Sequence, residues 1–72
     1  MAENIIADRL SAREIEVLRL VAAGQSNKIV ADSLRITEDT VKGHMKSIMA
    51  KLQANDRTHA VLIAMKRGFF DA

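Results

Sequence analysis

The sequence predicts an all-α domain, a four-helix bundle that contains a helix-turn-helix, and three observations support this fold class. The 72 residues include no proline and only three glycines, so few positions oppose a helix. No segment shows the sustained two-residue alternation of a half-buried strand. Four runs each begin at a residue type that caps helix N-termini well; these residues are Ser11, Ser26, Thr37 and Asp56.

The first predicted helix follows Ser11, at the sequence SARE. This is a capping box, in which Ser11 accepts from the amide of Glu14 and Glu14 reaches back to the amide of Ser11. The helix is expected to run to about Ala23 and to end at Gly24, because glycine readily adopts the backbone that follows a helix C-terminus.

The second and third helices flank a short turn. Ser26 is expected to cap a helix over Asn27 to Leu34, and the residues RIT after it leave room only for a tight turn. Thr37 is expected to cap a third helix that extends to about Leu52. A helix of about eight residues, a three-residue turn and a longer helix together describe a helix-turn-helix.

The third helix has two contrasting faces. One face carries the apolar stripe expected to enter the core, and its members are Val41, Met45, Ile48 and Leu52. The opposite face is basic at its edge and small in its middle; it carries Asp39, Lys42, Gly43, Lys46, Ser47 and Ala50.

Gly43 in the middle of that face needs an explanation, because glycine in a helix interior costs roughly 0.5–1 kcal/mol relative to alanine. One interpretation is that the bare backbone lets the helix approach base edges in a DNA major groove, while the neighbouring lysines reach bases or phosphates. The alternative is that Gly43 is a tolerated residue on a solvated face.

The fourth helix is expected to begin after Asp56 and to run to about Arg67, with Gly68 just beyond its end. Ala60 and Ala64 form a small face suited to packing inside the domain. The sequence also predicts an apolar stripe that a domain of this size leaves uncovered; the stripe consists of Thr58, Val61, Leu62 and Met65. A second copy related by a two-fold axis could cover it, or the N-terminal residues NIIA could fold back over it.

Length and composition bound the function. The chain is long enough for one small domain over residues 1–72, with a core at about 10–68 and a leading extension or linker at 1–9. This start fits either an excised domain or a naturally short protein. No apolar run approaches the roughly 20 residues that span a bilayer, and the N-terminus lacks a signal-peptide pattern, so we expect a cytoplasmic protein that does not enter the membrane.

Chemistry other than binding is not indicated. The chain has no cysteine and two well-separated histidines, so neither a metal site nor a cofactor is expected. No nucleophile, base and orienting group can be assembled, which argues against an enzyme. The net charge of +2 arises in residues 37–72, which hold six of the 11 Lys/Arg and four of the nine Asp/Glu, and this excess suggests an anionic partner.

Taken together, the motifs resemble the DNA-binding domain of LuxR/FixJ-type regulators, also called the GerE type, as found in bacterial response regulators and quorum-sensing regulators. The matching pieces are LSAREIEVLRLVAAGQSNK, LRITEDTVKGHMKSIMAKL and NDRTHAV, which together extend over about residues 10–68.

This resemblance implies a transcription regulator whose third helix enters the major groove of double-stranded DNA and whose fourth helix forms a homodimer on two half-sites. The base-contact candidates are Lys42, Gly43 and Lys46. The candidates for DNA-backbone contacts are Asn27, Lys28, Thr37, Thr40, Ser47 and Lys51. The dimerisation candidates are Thr58, Val61, Leu62 and Met65. The resemblance also implies an N-terminal receiver domain of a two-component system, or a ligand-binding domain, in the full-length protein.

The sequence departs from the family pattern at two positions. Relatives often have valine, which can touch a thymine methyl group, where this chain has Gly43. An acidic residue usually stands where this chain has Ile29. The base preference at Gly43 is therefore expected to differ from that of such relatives.

Two other functions fit parts of the pattern. A sigma-factor-like promoter-binding module shares the helix-turn-helix, although the stripe on the fourth helix argues against it. A helical protein-interaction module without DNA binding would be expected to lack cations on the exposed face of the third helix. Arg57 is expected to pair with Glu14 or with a nearby carbonyl and not to touch DNA.

Overall fold

Four helices make up the domain in the computed structural model, which describes residues 9–69. They are α1 (Ala12–Ala22), α2 (Asn27–Leu34), α3 (Glu38–Leu52) and α4 (Arg57–Lys66). No strand occurs among residues 9–69. The predicted all-α class and the order of the helix-turn-helix, formed by α2 and α3, are confirmed. The segment NIIA, proposed above as one cover for the last helix, lies outside the described residues.

Each helix begins at the residue that the sequence indicated. Ser11 and Glu14 form the complete capping box, and Ser26 accepts from the amide of Ile29. Thr37 accepts from the amide of Thr40. Asp56 does the same for the amide of His59, at 2.8 Å. These bonds satisfy amides that have no partner within the helix, which is why such short helices have defined starts.

The helix ends follow two different rules. Helices α1 and α4 each end one residue before the predicted position, and Gly24 (φ 90°) and Gly68 (φ 75°) follow with left-handed backbone. Helices α2 and α3 end instead at Arg35 (φ 59°) and Gln53 (φ 56°), which are not glycines. The left-handed residue Arg35 ends α2, and α3 begins three residues later and packs against α2.

The core lies between α3 and the other helices. Helix α3 packs against α1, α2 and α4, whereas α2 and α4 do not approach each other closely. The predicted stripe of α3 is buried as expected, and so are Ala60 and Ala64 of α4. The opposite face of α3 therefore points away from the protein. No helix among residues 9–69 has both the length and the apolar character needed to cross a membrane.

Candidate nucleic-acid interface

The exposed face of α3 carries the cations and the bare backbone that the sequence singled out. Lys42, Gly43 and Lys46 are all exposed, as are Asp39 and Ala50. They lie together because the buried stripe fixes the rotation of the helix about its axis. This face thus has cations at its edge and small residues in its middle, and a helix face without bulky side chains can approach base edges in a major groove.

Within residues 9–69, neither packing nor backbone conformation requires glycine at position 43. A Cβ atom built there would meet no atom within 4 Å, and the backbone is not left-handed. Alanine would therefore fit and would favour the helix by roughly 0.5–1 kcal/mol. The bare backbone at Gly43 therefore has no structural explanation within residues 9–69.

The start of α3 presents two hydroxyl groups at the edge of this face. Thr37 and Thr40 are both exposed, and their Oγ1 atoms lie 2.9 Å apart. Thr37 Oγ1 also accepts from the Thr40 amide at 3.1 Å. The two threonines are thus held together at the helix N-terminus, where the helix dipole favours an anion.

A buried carboxylate anchors the other half of α3. Glu14 of α1 is 5% exposed and accepts from the Ser11 amide at 2.8 Å. It also accepts from Ser47 Oγ at 2.7 Å and from Lys51 Nζ at 2.8 Å. Burial alone would raise the pKa of Glu14, but these hydrogen bonds and the charge of Lys51 lower it from 4.5 to about 2. Glu14 is therefore ionised at neutral pH and ties α3 to α1.

Arg57 makes a second long-range link, at the start of α4. Its Nη2 donates to the carbonyl oxygen of Gln25 at 2.9 Å, and its Nη1 donates to the Oδ1 of Asn27. Two partners were expected for Arg57. The predicted bond to a nearby carbonyl is confirmed, and the alternative of a pair with Glu14 is wrong, because Glu14 is bonded to Lys51. Asn27, Lys42 and Arg57 are among the residues that line one open depression of about 360 Å³, together with Met45.

The outer face of α4 is apolar and accessible. Leu62 is 54% exposed, the largest value for a bulky apolar side chain in residues 9–69. Thr58 beside it is exposed, and Val61 and Met65 are half-buried. Val61 and Met65 also pack against the core, so Leu62 and Thr58 are the most accessible members of this stripe; Ala60 and Ala64 occupy the opposite, buried face of the helix.

The family model described as "Bacterial regulatory proteins, luxR family" (GerE) matches residues 8–64, most of the chain. The chain belongs to this family. The luxR-type helix-turn-helix is a DNA-binding domain, and the matched range takes in α1, α2 and α3 whole and most of α4.

Three relatives illustrate the similarity. Transcriptional regulatory protein DegU of Brevibacillus brevis is 45% identical over 60 residues, which is 83% of this chain and 25% of DegU. Response regulator protein VraR of Staphylococcus aureus is 44% identical over 59 residues, which is 82% of this chain and 28% of VraR. HTH-type transcriptional regulator AlkS of Pseudomonas putida is 40% identical over 67 residues, which is 93% of this chain and 8% of AlkS. The chain thus spans a small part of each relative.

Within this luxR-type domain, the predicted contact residues divide into two groups. Those at exposed positions are Lys28, Thr37, Thr40, Lys42, Gly43 and Lys46. The others already have partners within the chain: Asn27 accepts from Arg57, and Ser47 and Lys51 donate to Glu14. Ser47 and Lys51 are half-buried. Ser47 gives its single hydroxyl proton to Glu14, so it can donate to a phosphate only by releasing Glu14, whereas the ammonium group of Lys51 has further donors.

Sequence reasoning missed the role of Glu14 beyond its cap. A signal was present, because Glu14 stands on the same helical stripe as Val17, Leu18 and Val21, all of them buried. A carboxylate on a core stripe needs hydrogen-bond partners to offset the cost of burial. The partners could not be named from the sequence, since Ser47 and Lys51 lie 33 and 37 positions away.

Proposed function

We propose that this luxR-family domain recognises specific DNA sequences for a bacterial transcription regulator, with α3 in the major groove. The observation that carries the proposal is the exposed face of α3, where open backbone at Gly43 lies between the exposed Lys42 and Lys46. A major groove about 12 Å wide accepts a helix, and lysine can donate to the O6 and N7 acceptors of guanine. Lys42 and Lys46 are the base-reading residues in this account.

Residues around this face position the domain on the phosphates. Contacts to phosphate set register and orientation, whereas contacts to base edges supply specificity. The proposed phosphate contacts are Asn27, Lys28, Thr37, Thr40, Ser47 and Lys51. Their support is their placement at the starts of α2 and α3 and along the edge of the exposed face of α3.

Selection of bound sequences from a random duplex pool, repeated at two salt concentrations, tests this function. A sequence-specific domain enriches one motif at both concentrations, and its affinity falls as salt rises because bound cations displace counterions from the phosphates. Absent or salt-insensitive binding would favour a protein-interaction module. A motif built from two related half-sites would support binding as a dimer.

We also propose that the domain binds its site as a homodimer through the α4 stripe of Thr58, Val61, Leu62 and Met65. The apolar, accessible character of the stripe supports this assignment. By analogy with relatives named as response regulators, an N-terminal receiver or ligand-binding domain would supply the controlling signal in the full-length protein.

Leu62→Ser is expected to abolish cooperative occupation of two half-sites while leaving binding to a single half-site unchanged. The reason is that the leucine is 54% exposed in the domain and would become buried only between two copies. Ile29→Ser is a matched control, because Ile29 is the other bulky apolar side chain exposed in residues 9–69, at 44%. Cooperativity is measured by titrating duplexes that carry one or two half-sites. If Leu62→Ser binds two half-sites as cooperatively as Ile29→Ser does, the assigned dimer surface is wrong.

A further inference from the structure

The side chain of Arg57 connects α4 to the start of α2. It belongs to the first residue of α4, and its two acceptors lie at the turn before α2 and in the first residue of α2. The backbones of α2 and α4 do not approach each other closely. The planar guanidinium, which presents several donors in a fixed geometry, holds both acceptors at once.

This link determines which atoms of Asn27 remain available. Its Oδ1 accepts from Arg57, and its Nδ2 has no hydrogen-bond partner within residues 9–69. Because the amide group is planar, fixing the oxygen toward Arg57 directs the two N–H groups away from it. Asn27 lines the same depression as Lys42, which is one of the two proposed base-reading lysines.

We propose that Arg57 is a positioning residue for DNA binding: it orients the Asn27 amide so that its N–H groups donate to a DNA phosphate. This inference rests on the proposed function. In this proposal Arg57 acts through Asn27 and not on the duplex itself; two of the five N–H donors of its guanidinium are engaged within the chain. Holding Asn27 in its binding conformation before the DNA arrives removes the entropic cost of ordering it on association.

A double-mutant cycle on DNA affinity tests the proposal. Asn27→Ala, Arg57→Lys and the double variant are titrated with the duplex selected by the unaltered domain, at a temperature where thermal unfolding shows every variant to be folded. Lysine keeps the charge but cannot hold two acceptors in the fork of a guanidinium. Asn27→Ala is expected to weaken binding about 5-fold, the ordinary worth of one hydrogen bond, and to have no further effect when Arg57→Lys is already present.

Two outcomes would overturn this role. If the fold-changes of Asn27→Ala and Arg57→Lys multiply, the residues act independently and Arg57 does not work through Asn27. If Arg57→Gln lowers the slope of log affinity against log salt by about one, Arg57 itself contacts a phosphate. Arg67→Gln, at an exposed position just after α4, is the control for loss of one positive charge.

A measurement on the unaltered domain complements the variants. In nuclear magnetic resonance spectra, the side-chain amide signals of Asn27 are expected to shift when the selected duplex is added, while the guanidinium signals of Arg57 keep their positions. Shifted Arg57 signals with unmoved Asn27 signals would contradict the proposal. If the domain binds no duplex at all, the proposed function fails as well; if Lys42→Ala loses affinity while the cycle is additive, only the role of Arg57 fails.

Discussion

Replacing Glu14 with alanine is expected to lower the free energy of unfolding by about 3 kcal/mol, the low end of the cost of breaking a buried ion pair from one side. The low end applies because Lys51, with a side chain 31% exposed, can still reach water when its partner is removed. The change also leaves Ser47 and the Ser11 amide without their acceptor. A domain of this size has a total stability of only roughly 4–11 kcal/mol, so the midpoint of thermal unfolding should fall by more than 10 °C.

Glu16→Ala is the matched control for this change. Glu16 is two residues away on the same helix and has an exposed side chain, and its ion pair with Arg13 is long, at 3.6 Å. Exposed pairs of this kind contribute about 0–1 kcal/mol. Similar losses of stability for the two alanine variants would contradict the anchoring role of Glu14.

The pH dependence of stability provides a second readout of the same carboxylate. The folded state lowers the pKa of Glu14 from 4.5 to about 2, so the unfolded state binds a proton first as the pH falls. The stabilisation by Glu14 is complete above about pH 5 and is lost progressively as the pH falls toward 2. Glu14→Gln should flatten this part of the stability profile, whereas Glu16→Gln should retain it. Equal slopes in Glu14→Gln and the unaltered domain would show that the carboxylate is not stabilised by folding.

Lys42→Ala and Lys46→Ala are each expected to weaken binding to the selected duplex by about 1–3 kcal/mol, or roughly 5- to 150-fold, and to relax base preference. Both side chains are exposed on the face of α3 opposite the core, so their loss should leave stability nearly unchanged. The measurement is affinity for the selected duplex and for a random duplex at constant salt.

Lys28→Ala gives the contrasting result in the same titrations. Lys28 is exposed near the start of α2, where we propose that it contacts a phosphate. Its loss should weaken binding to all sequences alike and lower the salt slope by about one. If Lys42→Ala instead weakens the selected and random duplexes equally, its assignment to a base edge is wrong.

The fold could be predicted from the sequence because its signals are local. Ser26, Thr37 and Asp56 each lie three residues before the amide that they cap, so the helix starts depend on neighbouring residues only. The apolar residues of α3 recur at helical spacing, so the sequence of this one helix is enough to identify its buried face. The predicted ends of α1 and α4 were each one residue too late, since the last turn depends on where the left-handed residue falls.

The links between helices could not be predicted in the same way. Glu14 joins α1 to Ser47 and Lys51, and Arg57 joins α4 to Asn27, across 30 or more positions. Which donor meets a buried carboxylate depends on how the helices cross, and several cations in this chain have the reach to do it. The sequence therefore left two partners open for Arg57, and only the fold chose between them.

The central claim is that the bare backbone of α3 at Gly43 lies against base edges, and the variants Gly43→Ala and Gly43→Leu test it most directly. A side chain has open space at this position, so both variants should raise the free energy of unfolding by roughly 0.5–1 kcal/mol. Affinity for the duplex selected by the unaltered domain is the decisive measurement. We expect this affinity to fall as the side chain grows while stability rises; unchanged affinity in both variants would contradict the contact with base edges and leave Gly43 as a tolerated residue on a solvated face.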